Sequence, residues 1–250
     1  MAVALLDSMT FDDKPTHFLR TLLQAGCFIL LAGCAGKEVV VQGSFPSPLI
    51  DPLPVSLGII LPNDFRQHEV FDEAKGRAES NWLVKTGEAQ VIFWDTLLKE
   101  MFSETIYLNN WDDVKENGNN IDAVLVPTIN DLQYAIPRHT NVKIYEIWMR
   151  YEFQLLNVKS LFREEDNAVG IRLNDRLATW PVTAYGKTPT AFLQSDEEAV
   201  NLAAVVALRD AGAHFITSFL RVPEVSAWFQ STLGTKKEAD KRDEKTKNKI

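Results

Sequence analysis

The sequence predicts an α+β fold with a mixed, largely antiparallel sheet and helices packed on one of its faces. Three observations carry this prediction. The stretch Val142–Leu156 alternates apolar and polar residues, as a strand with one buried face does. The stretch that begins at Ser195 has the capping pattern and apolar spacing of a helix. The predicted elements follow one another as strand, helix, strand, strand, long strand, strand, helix.

The first half of the fold is expected to contain three strands around one helix. In order, these elements are the strand Val55–Leu61, a helix from Thr86 to Phe102, the strand Thr105–Leu108 and the strand Ile121–Val126. The hydroxyl of Thr86 is expected to cap the helix, and Pro127 to stop the last of these strands. The intervening stretches Phe65–Asn81 and Asn109–Asn120 are polar and are predicted to be loops.

The second half is expected to pair Val142–Leu156 with Leu177–Tyr185. One open polar face on the long strand is typical of an antiparallel sheet. A helix should then start at Ser195, which has the spacing to form a capping box with Glu198. We expect Gly212 to interrupt this helix, and a last short helix to follow. We expect that no stretch after Cys34 is long and apolar enough to span a membrane.

An apolar segment, Leu22–Gly33, precedes the predicted fold and follows Arg20. About a dozen apolar residues are too few for a membrane-spanning helix, which needs about 20. Their number fits the apolar region of a secretory signal peptide, which ends in small residues. A buried core helix and an uncleaved membrane anchor are the alternatives. The preceding region is long and more acidic than signal peptides usually are, and a start at Met9 would shorten it.

The apolar segment ends in Leu31-Ala32-Gly33-Cys34, which resembles the lipobox of bacterial lipoproteins. This resemblance implies a diacylglyceryl group on the sulfur of Cys34 and cleavage between Gly33 and Cys34. Because two or more acyl chains bind a bilayer stably, the mature protein would be held at a membrane. Ala35, rather than aspartate, follows the cysteine. By the same resemblance, this points to the periplasmic face of the outer membrane.

These features divide the chain into four parts. Residues 1–33 are the predicted signal peptide, and residues 34–54 are the lipidated cysteine with a proline- and glycine-rich tether. Such a tether would be extended and would hold the domain roughly tens of ångströms from the bilayer, although Val39–Val41 could instead add an edge strand. Residues 55–233 form a single α+β domain. The charged residues 234–250 lack apolar periodicity and are predicted to be disordered.

Composition argues against several classes of function. The formal net charge of −8 makes a nucleic-acid partner unexpected. Cys27 would leave with the signal peptide and Cys34 would be lipidated, so neither thiol catalysis nor a cysteine metal site is expected. The sequence has neither a glycine-rich phosphate loop nor a serine nucleophile elbow. His68, His139 and His214 are far apart, and we expect no metal and no cofactor.

The polar face of the long strand carries the candidate contact surface, which consists of Glu146, Trp148, Arg150 and Glu152. Their spacing by two residues places all four side chains on one side of the strand. The charged members could position a polar ligand, or they could simply form cross-strand charge pairs. An exposed tryptophan among polar residues often marks a contact surface, although packing beneath a loop would also explain it.

The chain is similar to small proteobacterial envelope lipoproteins, which include auxiliary lipoproteins of ABC transport systems and outer-membrane accessory lipoproteins. The lipobox, the strand Val55–Leu61 and Gly87-Glu88-Ala89 at the start of a helix carry this resemblance. It implies a non-enzymatic adaptor in envelope transport or assembly, with envelope proteins as partners. The alternatives are a binding module for an envelope glycan or lipid, and an enzyme without a recognisable motif. The oligomeric state does not follow from the sequence.

Overall fold

The computed structural model describes residues 36–73, 81–135, 144–158, 175–188 and 195–247. The predicted signal peptide, with Gly33 and Cys34, lies outside them. The strands are β1 Lys37–Val40, β2 Leu53–Ile60, β3 Glu69–Asp72, β4 Trp82–Lys85, β5 Phe102–Leu108, β6 Ala123–Ala135, β7 Glu146–Leu156 and β8 Arg176–Lys187. The helices are α1 Asn63–Arg66, α2 Gly87–Met101, α3 Trp111–Asn117, α4 Asp196–Ser218 and α5 Pro223–Lys247, with a 3-10 turn at Phe219–Arg221.

The larger sheet has five strands in the order β5-β2-β6-β7-β8. The strand β2 pairs in parallel with both β5 and β6. The strands β6, β7 and β8 then form an antiparallel series. Parallel neighbours need a crossover connection, and the chain between β2 and β5 contains α2. The predicted α+β class is therefore confirmed.

The main core lies between the buried face of this sheet and the helices α2, α4 and α5. Trp94 is its centre, with ring centroids 5.4 Å from Tyr151, 5.0 Å from Phe153 and 5.3 Å from Phe215. Edge-to-face ring pairs of this kind add about 0.5–1.5 kcal/mol each beyond the area they bury. The alternation predicted for the long strand is confirmed, because its apolar positions are buried: Tyr145, Ile147, Met149, Tyr151, Phe153 and Leu155.

A second, smaller core covers the opposite face of the parallel strands. Apolar residues of β2, β5 and β6 pack there with Val114 of α3. The stretch Asn109–Asn120, which was predicted to be a loop, thus contains a helix. Asn110 caps this helix, because its side chain accepts the N–H groups of Asp112 and Asp113. Parallel strands are usually covered on both faces, so α3 is needed here although its sequence is mostly polar.

Two other predictions are wrong, one because of strand pairing and one because the elements are short. The strand β6 does not stop at Pro127 but continues to Ala135, paired with β7. Its pairing with β2 ends at Leu125, so the missing N–H of Pro127 falls on an edge and removes no ladder bond. The predicted loop Phe65–Asn81 contains α1 and β3. These elements have four residues each, which is too short for a periodic pattern.

The predicted tether packs against the fold from Lys37 onward. The strand β1 is at one edge of a three-stranded sheet with the order β1-β4-β3. Val39 and Val41 are buried, and the ring of Phe45 lies 5.1 Å from the ring of Phe93. The edge-strand alternative is therefore confirmed. The extended spacer is wrong for these residues, because burial of the valines outweighs the extended preference of the nearby prolines.

The helix α4 begins at the predicted capping box. The Ser195 hydroxyl accepts the N–H of Glu198 at 3.1 Å, and the Glu198 carboxylate accepts the N–H of Ser195 at 3.2 Å. Gly212 does not interrupt the helix, contrary to our expectation. A Cβ at this position would collide with Phe93 and Leu97 of α2. The glycine is therefore explained by the close approach of two helices rather than by a helix end.

By length and composition alone, the segment Asp196–Arg221 is long and apolar enough to span a membrane. It has 26 residues, with a window of mean hydropathy 1.3. The expectation that no such segment follows the signal peptide is therefore wrong. More than half of this window is buried inside the structure, and α4 packs across β8 and β7. The segment occupies the position of a core helix.

The C-terminal stretch that was predicted to be disordered continues α5 to Lys247. The first turns of α5 pack into the core, for example through Val225. Lys236 then donates to the carboxylate of Asp122 at 2.7 Å and to the carbonyl of Pro54 at 3.2 Å. The described side chains after Lys236 are exposed. Lysine, arginine and glutamate favour helices even without an apolar face, which explains the continuation.

Candidate functional site

The candidate contact surface lies on the face of β7 that points away from the main core. Trp148 and Arg150 are exposed there, and Glu146 and Glu152 are half-buried. Their neighbours along β7 point into the core, so the pleat of the strand directs these four side chains outward. The structure therefore shows them on the predicted face. Their role in binding stays a prediction.

Trp148 and Arg150 line a groove of about 310 Å³ across β6, β7 and β8. Two rows of residues in register cross it, and all of them line it except Tyr185, which lies at its border. The rows are Gln133, Trp148 and Tyr185, and next to it Asp131, Arg150 and Thr183. Ligand pockets usually measure about 300–1,000 Å³, so this groove fits a small molecule or one segment of a larger partner.

An aromatic pair borders the groove. The rings of Trp148 and Tyr185 have centroids 5.3 Å apart and an interplanar angle of 41°. The Tyr185 hydroxyl donates to the carboxylate of Glu146 at 2.7 Å, and Nζ of Lys187 lies 4.0 Å from that carboxylate. The hydrogen bond to Glu146 raises the pKa of Tyr185. Glu146 therefore holds the ring of Tyr185 rather than lining the groove itself.

Charged and amide groups lie in the second row and beside it. Nε2 of Gln133 donates to the carboxylate of Asp131 at 2.7 Å. Arg150 is directly across the ladder from Asp131, and its planar guanidinium suits carboxylates and aromatic faces. The groove thus offers an aromatic plane, a cation and hydrogen-bonding groups within one surface. Sites with these components bind flat or polar ligands in a defined orientation.

Glu152 lies outside the groove. It is two residues beyond Arg150 on the same face and opposite Pro181 of β8. Its carboxylate accepts Nδ2 of Asn130 at 3.5 Å and Nε2 of Gln154 at 3.4 Å, which are long for hydrogen bonds. The structure therefore separates the four predicted residues. Trp148 and Arg150 line the groove, Glu146 supports one end, and Glu152 is apart from it.

The free edge of β8 next to the groove is covered by side chains of α4. The N–H of Tyr185 donates to the carboxylate of Asp210 at 2.9 Å. Nδ1 of His214 lies 2.7 Å from the carbonyl oxygen of Thr183. Because Asp210 and His214 are one helical turn apart, a single face of α4 satisfies both backbone groups. These contacts fix the part of β8 that carries Thr183 and Tyr185.

The predicted absence of a metal site is not tested by a structure without ligands. Within the described ranges, no three His, Cys, Asp or Glu residues group as metal ligands would. His68 is occupied by a contact of 2.7 Å between its Nδ1 and Oγ1 of Thr86. Burial lowers its pKa, although Glu69 acts in the opposite direction. This contact also explains why the Thr86 side chain does not cap α2. His139 lies outside the described residues.

Four residues of the groove region were not predicted from the sequence. Thr183 and Tyr185 could have been found, because the alternation in Leu177–Tyr185 places them on the polar face. Asp131 and Gln133 were hidden, because the strand was expected to end at Pro127. Met149 and Ala184, which complete the lining, belong to the buried alternation and carry no sequence signal of a groove.

Comparisons with known proteins give only distant similarities. No family model and no curated protein matches the chain. A protein of the DUF330 family from Xanthomonas campestris has a TM-score of 0.41 at 8% identity, with 72% of this chain and 92% of that one covered. A putative neuraminyllactose-binding hemagglutinin homologue from Helicobacter pylori has a TM-score of 0.47 at 9% identity, covering 78% and 100%.

A third solved structure is the lipoprotein GNA1162 from Neisseria meningitidis. Its TM-score is 0.23 at 10% identity, with 62% of this chain and 97% of that chain covered. TM-scores below 0.5 mark a distant likeness. A likeness this distant does not indicate a function for this chain.

Proposed function

We propose that the protein is a non-enzymatic accessory protein of a bacterial envelope, anchored through a lipid on Cys34 at the periplasmic face of the outer membrane. It binds an envelope protein through the groove formed by β6, β7 and β8. The observation that carries this proposal is the exposed pair of Trp148 and Tyr185 beside Arg150 on a rigid sheet. The lipobox at Leu31–Cys34 supports the location.

A protein partner agrees with the residue types of the groove. Tryptophan, tyrosine and arginine are the residues most often found at the energetic centre of protein interfaces. Trp148 is 40% and Tyr185 38% exposed, so part of each ring is already packed and needs little ordering on binding. An antiparallel sheet holds these side chains at fixed spacing, which favours a partner of defined shape.

The partner is testable by crosslinking in envelope membranes, followed by affinity purification of the full-length lipidated protein. Trp148→Ala should weaken recovery of the partner by about 30-fold, because an interface tryptophan contributes about 2 kcal/mol or more. Gln154→Ala is the matched control, since Gln154 lies on the same face of β7 but outside the groove. Equal recovery from the two variants would contradict a protein interface at the groove.

A second candidate is a binding module for an envelope glycan or lipid. The observation in its favour is the size of the groove, about 310 Å³, with aromatic, charged and amide groups close together. Retention of the purified protein on peptidoglycan or on lipid alone would support this candidate. Arg150→Ala should then reduce this retention. If the protein no longer binds peptidoglycan or lipid once other proteins are removed, the result contradicts the binding module and supports the accessory protein.

The location has its own test. Mass spectrometry of the protein purified from its native host should show a chain that begins at Cys34 with acyl groups attached. An intact leader with an unmodified cysteine sulfur would contradict the lipid anchor. It would not affect the proposed binding at the groove.

A further inference from the structure

The sheet β1-β4-β3 has one buried face and one exposed face. Val39, Trp82 and Val84 point into the core. The alternate positions point outward: Phe71 is 62% exposed and Val40 43% exposed. Leu83 pairs across the ladder with Phe71 and is only half-buried, so the outer face contains a small apolar patch. Large apolar side chains exposed to this degree call for an explanation.

The direction of β1 shows where the chain enters this sheet. The N–H of Val41 donates to the carbonyl of Lys85 at 2.9 Å; Lys85 is the last residue of β4, and Val41 directly follows the last residue of β1. Antiparallel pairing in this register would put the rest of β1 beside α2, which starts at Gly87, and not beside β4. The two strands therefore run parallel, and Lys37 lies near the Trp82 end of β4.

Two members of the apolar patch, Phe71 and Leu83, lie nearer the Lys37 end of the sheet than the Lys85 end. Phe71 pairs with Leu83, the residue next to Trp82. Neighbouring strands are about 4.8 Å apart, so the backbone of β3 at Phe71 is about 10 Å from the backbone of β1. The start of β1 is thus close to Phe71, which is the most exposed aromatic side chain among those the structure describes.

Only Ala35 and Gly36 separate Cys34 from Lys37. Three peptide units extend to about 11 Å at most. A lipid group on Cys34 would therefore keep the start of β1 at the membrane surface, with no spacer between the fold and the bilayer. Apolar groups at a bilayer surface insert about 5–10 Å into the boundary between headgroups and acyl chains. Because β3 at Phe71 is about 10 Å from β1, the side chain of Phe71 would then be close to the bilayer surface.

We propose that the outer face of β1-β4-β3 lies against the lipid bilayer, with Phe71 inserted at the interface. This inference rests on the proposed lipidation of Cys34 and adds the face by which the fold meets the membrane. Glu38 and Lys85 on this face form an ion pair of 2.7 Å, and Glu69 adds a negative charge. The contact therefore depends on apolar insertion and not on attraction to anionic lipid.

The test places a fluorescent label at single positions of the full-length lipidated protein, reconstituted into phosphatidylcholine vesicles that carry a lipid-bound quencher. Once the leader is removed and Cys34 is lipidated, a Phe71→Cys or Leu83→Cys variant has one free thiol. Leu220→Cys is the matched control, because Leu220 is an exposed apolar residue, 38% exposed, beyond the end of α4. We expect several-fold stronger quenching at positions 71 and 83 than at 220, unchanged by added phosphatidylglycerol.

Sedimentation of the same vesicles separates two kinds of failure. If the protein stays in the supernatant, the lipid anchor is contradicted, and so is the membrane-facing sheet that rests on it. Protein that sediments but shows equal quenching at positions 71 and 220 keeps the anchor and overturns the membrane-facing sheet. A label at position 71 that is shielded in native membranes but not in pure lipid vesicles would also overturn it, because a protein would then cover this face.

Discussion

Gly186 marks the point where α4 comes closest to β8. A Cβ built there would overlap the carbonyl oxygen of Ala203 and the amide nitrogen of Ala207. Both are backbone atoms of a buried helix, so neither can swing aside as the end of a long side chain could. The absence of a side chain at this residue therefore sets how tightly the helix lies on the strand.

We expect Gly186→Ala to lower the free energy of unfolding by about 3 kcal/mol, the upper part of the usual cost of overpacking. Gly234→Ala is the matched control, because a Cβ on Gly234 in α5 would meet nothing within 4 Å. The control should gain about 0.5–1 kcal/mol, since alanine favours a helix over glycine. Urea denaturation of both variants measures the difference. Equal stability of the two would show that the helix can shift.

At the scale of elements, the chain's strong patterns gave correct predictions. The strands β7 and β8 and the helices α2 and α4 each extend over enough residues for a period to be visible. The elements α1, β3 and α3 were missed because they are short and mostly polar. The strand β6 was cut short at Pro127, since only the pairing of its neighbours reveals that it is at an edge there.

The candidate site was predictable only in part, because some of its residues come together through strand pairing and not through a pattern along one strand. Trp148 and Arg150 follow from the alternation along one strand. Asp131 and Gln133 reach the site through the register between β6 and β7, which one sequence does not define. The hydrogen bonds of Asp210 and His214 to the edge of β8 depend on where α4 crosses the sheet, and one sequence does not define this crossing either.

The helix α5 provides a test of how one element is held to the fold. Lys236→Met removes the contacts to the carboxylate of Asp122 and the carbonyl of Pro54. Asp122 keeps its bond from the N–H of Ser56, so we expect little loss of global stability. Amide hydrogen exchange in residues 237–247 should rise several-fold, because the contacts of Lys236 hold this part of α5 to the fold.

Lys237→Met is the control for this effect, since Lys237 is exposed and differs from Lys236 by one position. Exchange mass spectrometry should show no change in the control. If the two variants exchange at equal rates, the ion pair does not hold the end of α5.

At the scale of the whole molecule, two buried tyrosines and one half-buried tyrosine make the stability of the fold depend on alkaline pH. Burial raises the pKa of Tyr107, Tyr145 and Tyr151 above the ordinary value of 10.0. Above pH 10 the unfolded chain loses these protons while the folded protein keeps them. The folded state then binds more protons, so the free energy of unfolding is undiminished below pH 10 and falls as the pH rises beyond it.

Tyr151→Phe should make this fall less steep, by as much as about 1.4 kcal/mol per pH unit, because one titrating group is removed. At pH 8 the variant should lose about 1 kcal/mol, since the Tyr151 hydroxyl donates to Oε1 of Gln90 at 3.2 Å. Urea denaturation between pH 8 and 11 gives both values. A slope equal to that of the parent would mean that Tyr151 does not contribute to alkaline unfolding.

Under the proposed lipid anchor, which would confine the protein to a surface, the side chains of Asp210 and His214 on the edge of β8 would have a consequence. Confinement in two dimensions raises the local concentration and makes encounters between copies frequent. An open strand edge would then invite one copy to extend the sheet of the next, as in fibre growth. Because the N–H of Tyr185 and the carbonyl of Thr183 are already occupied, this part of the edge offers fewer backbone groups for a second copy to pair with.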